Sequence, residues 1–178
     1  MNSHLSGTII FKEEQRFSHP CLVIPLLILT IFLTFIIAYG MYRQLIQGIP
    51  FGNRPMSNES LKIVGPLIIG LIWGIFYLFI YMRLRVLLFE NSLVIHFRPL
   101  SKKVIDYQQI KSCAVTQYRP IKDFGGWGIR FRSGETAYTI SGNKAVRLSL
   151  KDGKNILIGS NQPEELAAII TNKIKNLS

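Results

Sequence analysis

The chain has 178 residues, with 21 Lys and Arg against 10 Asp and Glu and a formal net charge of +11, which leaves room for one ordinary domain plus a small membrane part. Two cysteines, Cys21 and Cys113, and three histidines, His4, His19 and His96, share no metal-ligand spacing, which argues against a zinc site or a disulfide framework. The basic excess favours anionic partners, whether lipid headgroups, nucleic acid or acidic protein faces, with a solvated positive-inside bias as the plain alternative.

Residues 1–19 form a polar N-terminal segment. Within it Phe11 and Phe17 bracket the charges of FKEEQRF, which reads as a short interfacial helix or an unstructured tail. Glu13 and Glu14 and the absence of a small-residue cleavage site argue against a cleavable signal. Residues 20–42 are uncharged and, at ~1.5 Å per residue, long enough to cross a hydrocarbon core of ~30 Å. Pro25 falls in the first turns and Tyr39 and Tyr42 at the far interface, as a spanning helix prefers.

Residues 43–62, with Gly48, Pro50, Gly52, Asn53 and Pro55, read as an external loop. Residues 63–82, again uncharged, read as the second span of an antiparallel hairpin. Lys12, Arg16, Arg83, Arg85, Arg98, Lys102 and Lys103 flank the side of the termini, against Arg43, Arg54 and Lys62 on the loop side. Both termini are therefore expected in the cytoplasm, with the chain multi-pass in the plasma membrane. Thr30, Thr34 and Ala38 recur every fourth residue, and Gly70 and Gly74 form a small-xxx-small pair. The expectation is that Ala38 faces Gly70 and Thr34 faces Gly74, or that the same face makes a homo-oligomer.

Residues 83–178 read as a cytoplasmic β-domain. Leu84, Val86 and Leu88 alternate with Arg83, Arg85 and Leu87, a turn at Glu90–Ser92 follows, and Leu93, Ile95 and Phe97 alternate with Val94, His96 and Arg98. Short strands follow near 103–106, 111–118, 127–132, 137–140, 146–150 and 156–158, with Trp127, Ile129 and Phe131 read as core residues. A helix over 163–176 closes the chain, with Asn161 as cap, Glu164 reaching back and Pro163 in the first turn.

The run YRPIKDFGGWGIRF from Tyr118, then VRLSLKDGKNILIGS and QPEELAAII, resembles bacterial proteins in which two membrane helices precede one pleckstrin-homology-like (PH-like) β-domain. Ala145 stands where that pattern has glycine. The resemblance implies an all-β sandwich or partly open barrel of about seven strands, capped by a C-terminal helix. It implies no catalytic residues and no phosphoinositide site of its own.

No pair of acids has a spacing that forces proximity, and Ser141, Ser149 and Cys113 lack an evident base, so no enzyme, metal or cofactor is expected. Nucleic acid is disfavoured because Trp127 and Phe131 fit core positions better than a stacking platform. Gly125 and Gly126 read as turn residues. The leading expectation is a non-catalytic, membrane-anchored binding or scaffold module presenting basic residues to anionic headgroups. The contact candidates are Arg98, Arg119, Lys122, Arg130, Arg132, Lys144 and Arg147. The alternative is a structural or regulatory subunit of a larger membrane complex, recognised through the small-residue helix face and an exposed sheet edge.

Overall fold

The computed structural model describes residues 8–17 and 20–177; His4, His19 and the Cys21 side chain lie outside them. The chain divides into a helical unit, Ser18–Tyr81, and a β-rich unit made of Met1–Phe17 with Met82–Ser178.

In the helical unit α1 spans Pro20–Leu45 and α2 spans Asn58–Tyr81, so both exceed the apolar runs that predict them. The connection shrinks to residues 46–57. The earlier start of α2 has a local cause: the Ser60 N–H donates to Ser57 Oγ at 3.3 Å, and Glu59 lies in the first turn. Cap chemistry rather than hydropathy sets that end. Both helices are long and apolar enough to cross a bilayer, and little of either is buried. Ile28, Phe32, Phe35, Leu67 and Tyr77 are all more than half exposed, the reverse of a soluble protein's core helix.

The helices meet along a different face from the one expected. Thr30 and Gly65 are buried, Met41 packs where Gly65 lacks a side chain, and the Phe51 ring covers Gly40. Trp73 Nε1 donates to Thr34 Oγ1 at 3.1 Å. Ala38, Gly70 and Gly74 are exposed, and a Cβ at either glycine would meet nothing within 4 Å. The Ala38–Gly70 and Thr34–Gly74 contacts are therefore not made. Closest approach comes instead where the loop folds back over the ends of the helices.

The β-rich unit contains β1 (Phe11–Arg16), β2 (Arg83–Leu88), β3 (Ser92–Arg98), β4 (Ser101–Asp106), β5 (Ile110–Gln117), β6 (Gly128–Arg132), β7 (Glu135–Thr139), β8 (Lys144–Leu150) and β9 (Asn155–Gly159). With them are a short helix α3 (Pro120–Phe124) and the closing helix α4 (Pro163–Lys175). Two sheets form, a first ordered β1-β2-β3-β4 and a second ordered β5-β8-β9-β7-β6, parallel only between β7 and β9. They do not close into a barrel. Nine strands replace the expected count of about seven.

One of those strands corrects the reading of the N-terminus. FKEEQR is neither an interfacial helix nor a tail but β1, antiparallel to β2 with Arg16 opposite Arg83. Its inward positions are Phe11, Glu13 and Gln15. The two polar ones bond to the end of β9 and the connection after it: Glu13 accepts from Ser160 Oγ at 2.6 Å and from the Asn161 N–H at 2.6 Å, and Gln15 Nε2 donates to the Gly159 carbonyl at 2.8 Å, while Gln15 Oε1 is buried without a hydrogen-bond partner among the described residues. The domain is thus not residues 83–178 alone. The helical hairpin is an insertion between two paired strands.

One core joins both sheets, through Leu84, Val86, Phe97, Leu148, Ile156 and Ile158, with Leu166 and Ile170 of α4 sealing it. The start of α4 also differs from expectation. Gln162 is the cap residue and makes no side-chain cap bond. Ser160 Oγ accepts the Gln162 N–H at 3.0 Å, and distant Glu13 takes the Asn161 N–H that a capping box would leave to local residues. A second, smaller cluster of Tyr118, Ala137, Ala145 and Leu157 is covered by Phe124 of α3. Gly125 and Gly126 end α3 at φ 69° and 125°, conformations that a Cβ would strain.

Candidate functional site

Side chains alternate across a strand, so register decides which charges share a face. Leu84, Val86, Leu93, Ile95 and Phe97 point into the core. The residues between them must therefore line the outer face of the first sheet. One row across it is Arg16, Arg83 and Arg98; the next is Glu14, Arg85, His96 and Lys102. A third row, Lys12, Leu87, Val94 and Val104, is largely apolar. Two adjacent rows therefore hold five cations against one carboxylate.

That carboxylate is the node of the face. Glu14 Oε2 lies 2.6 Å from Arg85 Nε, and its Oε1 lies 3.1 Å from Arg16 Nη2 and 3.2 Å from Arg83 Nη1. Burial pushes the Glu14 carboxyl up, but hydrogen bonds and charge from Arg85 and then Arg16 outweigh it and hold it below the usual value. His96 reads the opposite sign. Burial, then the charges of Arg98, Lys102 and Arg85, lower its pKa, so the imidazole faces a net positive field even with Glu14 present. One acid orders three arginines without cancelling them.

The seven predicted contact residues do not share this face. Arg98 alone belongs to it. Arg119, Lys122, Arg130 and Arg132 gather around α3 and β6: Arg119 Nε is 3.9 Å from Asp123 Oδ1, Arg132 Nη1 donates to the Asp123 carbonyl at 3.4 Å, and Arg130 reaches beside Gly126. Arg147 is held by Glu135 at 2.7 Å and Lys144 by Glu164 at 3.4 Å. Sequence reasoning missed Arg16, Arg83, Arg85 and Lys102. The alternation of Arg83 and Arg85 with Leu84 and Val86 was a usable signal, because the turn at Glu90–Ser92 places them beside His96 and Arg98. The contribution of β1 was not readable.

Cys113 and Tyr107 are both largely withdrawn from solvent. Burial pushes the Cys113 thiol up to about 11, against a smaller opposing hydrogen bond from Thr171, so at neutral pH it stays protonated. Burial likewise pushes Tyr107 up to about 12 while its hydroxyl donates to the Phe89 carbonyl at 3.0 Å. No family model, curated protein or solved structure matches the chain.

Proposed function

We propose that the chain is a non-catalytic, membrane-anchored binding or scaffold module with a PH-like β-domain, whose first-sheet outer face contacts anionic headgroups at the cytoplasmic leaflet. The observation that carries this reading is the row Arg16, Arg83 and Arg98. Only Met82 separates β2 from α2, and residues 17–19 separate β1 from α1, so the chain tethers these arginines within a few residues of both apolar helices. Each such cation near an anionic leaflet contributes about 1 kcal/mol.

The strand pairing supports the orientation as well. Since β1 and β2 flank the hairpin and pair with each other, they lie on one side of any membrane the helices cross, which requires an even number of crossings. The surplus of Lys and Arg on that side makes it the cytoplasmic one. Two packed sheets and a C-terminal helix support the PH-like reading.

The test uses His96 as a reporter in the full-length protein, reconstituted in nanodiscs of zwitterionic or partly anionic lipid. Anionic lipid should raise the His96 titration midpoint seen by NMR, with His96→Gln assigning the signal, and R83E with R98E or high salt should abolish the rise. Identical titrations in the two lipids would reject headgroup contact.

A second reading, a subunit of a larger membrane complex, is favoured by one separate observation: β6 is an open edge carrying an exposed aromatic side chain.

A further inference from the structure

β6 ends the second sheet, paired with β7 on one side and, among the described residues, with no strand on the other. The sequence pattern placed Phe131 in the core, yet it is 81 % exposed, the most exposed large apolar side chain of the β-rich unit. With Lys103 of β4 it lines a cleft of 430 Å³, together with Arg132, Thr136, Lys154 and Ile156. An aromatic ring therefore stands at the mouth of a groove, on a strand with one unpaired edge.

Charge then selects the occupant. Glu135 is engaged by Arg147, and Lys154 by Asp152. Lys103, Arg130 and Arg132 form no ion pair among the described residues. Along β6, Arg130 and Arg132 share one face and Phe131 points to the other. A second copy pairing through β6 would set these arginines against their own counterparts, which like-charge repulsion opposes.

We propose that β6 docks an extended acidic segment of a partner protein as a sixth strand, its carboxylates along Arg130 and Arg132 and an apolar side chain seated against Phe131 in the cleft. This gives the second reading its partner chemistry, and it stands whether or not the first sheet meets lipid.

The test uses the full-length protein in zwitterionic nanodiscs and fluorescein-labelled peptides of alternating Glu and Val, alternating Lys and Val, and the Glu–Val peptide with alternate backbone nitrogens methylated. The Glu–Val peptide should bind. Phe131→Ser, at an exposed position that folding does not need, should weaken it by about tenfold or more. R130E with R132E should transfer preference to the Lys–Val peptide, and backbone methylation should remove binding. The proposal is overturned by equal affinity for the acidic and basic peptides, by indifference to Phe131→Ser or to methylation, by no Glu–Val binding up to about 1 mM, or by a Phe131-dependent dimer of the protein itself.

Discussion

The two units follow opposite burial rules. In the β-rich unit large apolar side chains such as Leu84, Phe97 and Ile156 are buried, while in the helical hairpin Phe32, Phe35, Leu67 and Tyr77 face outward. The hairpin's exposed apolar surface fits a solvent as apolar as itself, where burial would give no drive and only close approach and hydrogen bonds would hold the helices together. In the β-rich unit hydrophobic burial supplies the drive, and polar groups decide which segments belong.

The first prediction attacks that contrast at the insertion point. A chain in which a short Asn–Gly turn joins Phe17 to Met82 in place of residues 18–81 should fold as a cooperative soluble domain. The same chain without β1 should not. Loss of Phe11, Phe17 and the Glu13 bonds removes core and clasp together, an effect comparable with the stability of a small domain, about 5 kcal/mol or more. Circular dichroism and urea unfolding read the outcome; cooperative unfolding of both would show β1 to be dispensable.

Next in size is Glu13→Ala in that soluble domain. It leaves the Ser160 hydroxyl and the Asn161 N–H buried without their acceptor and should cost about 3 kcal/mol by urea titration. A loss under about 1 kcal/mol would reduce the clasp to an ordinary surface contact.

In the hairpin, Gly65→Leu should cost about 2 kcal/mol of thermal stability in detergent, because Met41 fills that space. Gly70→Leu and Gly74→Leu should leave the monomer unchanged, since a Cβ at either position meets open space. The opposite ranking would restore the small-xxx-small face as the contact.

A subtler effect concerns acid. The Glu14 carboxyl titrates below its ordinary value of 4.5 in the folded state, so its contribution is complete above that value and is lost as pH falls through the lower, folded one. Glu14→Gln should flatten the acid limb of a stability–pH curve and, by removing the one carboxylate charge among these arginines, strengthen contact with anionic lipid. The smallest effect is Thr34→Val, which removes the acceptor of Trp73; about 0.6 kcal/mol and a shift in Trp73 emission are expected.

Much of the fold was legible because period and composition report burial directly. The β2–β3 hairpin, the later strands and the closing helix follow from alternation at Leu84–Leu88 and Leu93–Phe97 and from helical spacing at Leu166 and Ile170. β1 escaped because its inward positions include Glu13 and Gln15, polar residues whose partners lie in the connection from β9 to α4, far along the chain. The α1–α2 contact escaped because spacing cannot tell a packed glycine from an exposed one, and the decisive neighbours are Met41 within α1 and Phe51 from the fold-back of the loop. The cationic face was half legible: Arg98 was named, but a scattered list of basic residues carries no register. Phe131 was misread because alternation tells which face a residue takes, not whether that face is covered at the last strand of a sheet.

The pairing of Arg16 with Arg83 also constrains how the molecule is made. β1 is synthesised before its partner β2, with both apolar helices between them, so the β-rich unit cannot complete its core until the whole hairpin has been made. A chain that threaded the bilayer only once would strand the two β-partners in separate compartments and leave an unfinished sheet for proteolysis. Pairing of β1 with β2 would thus mark a hairpin that had crossed an even number of times.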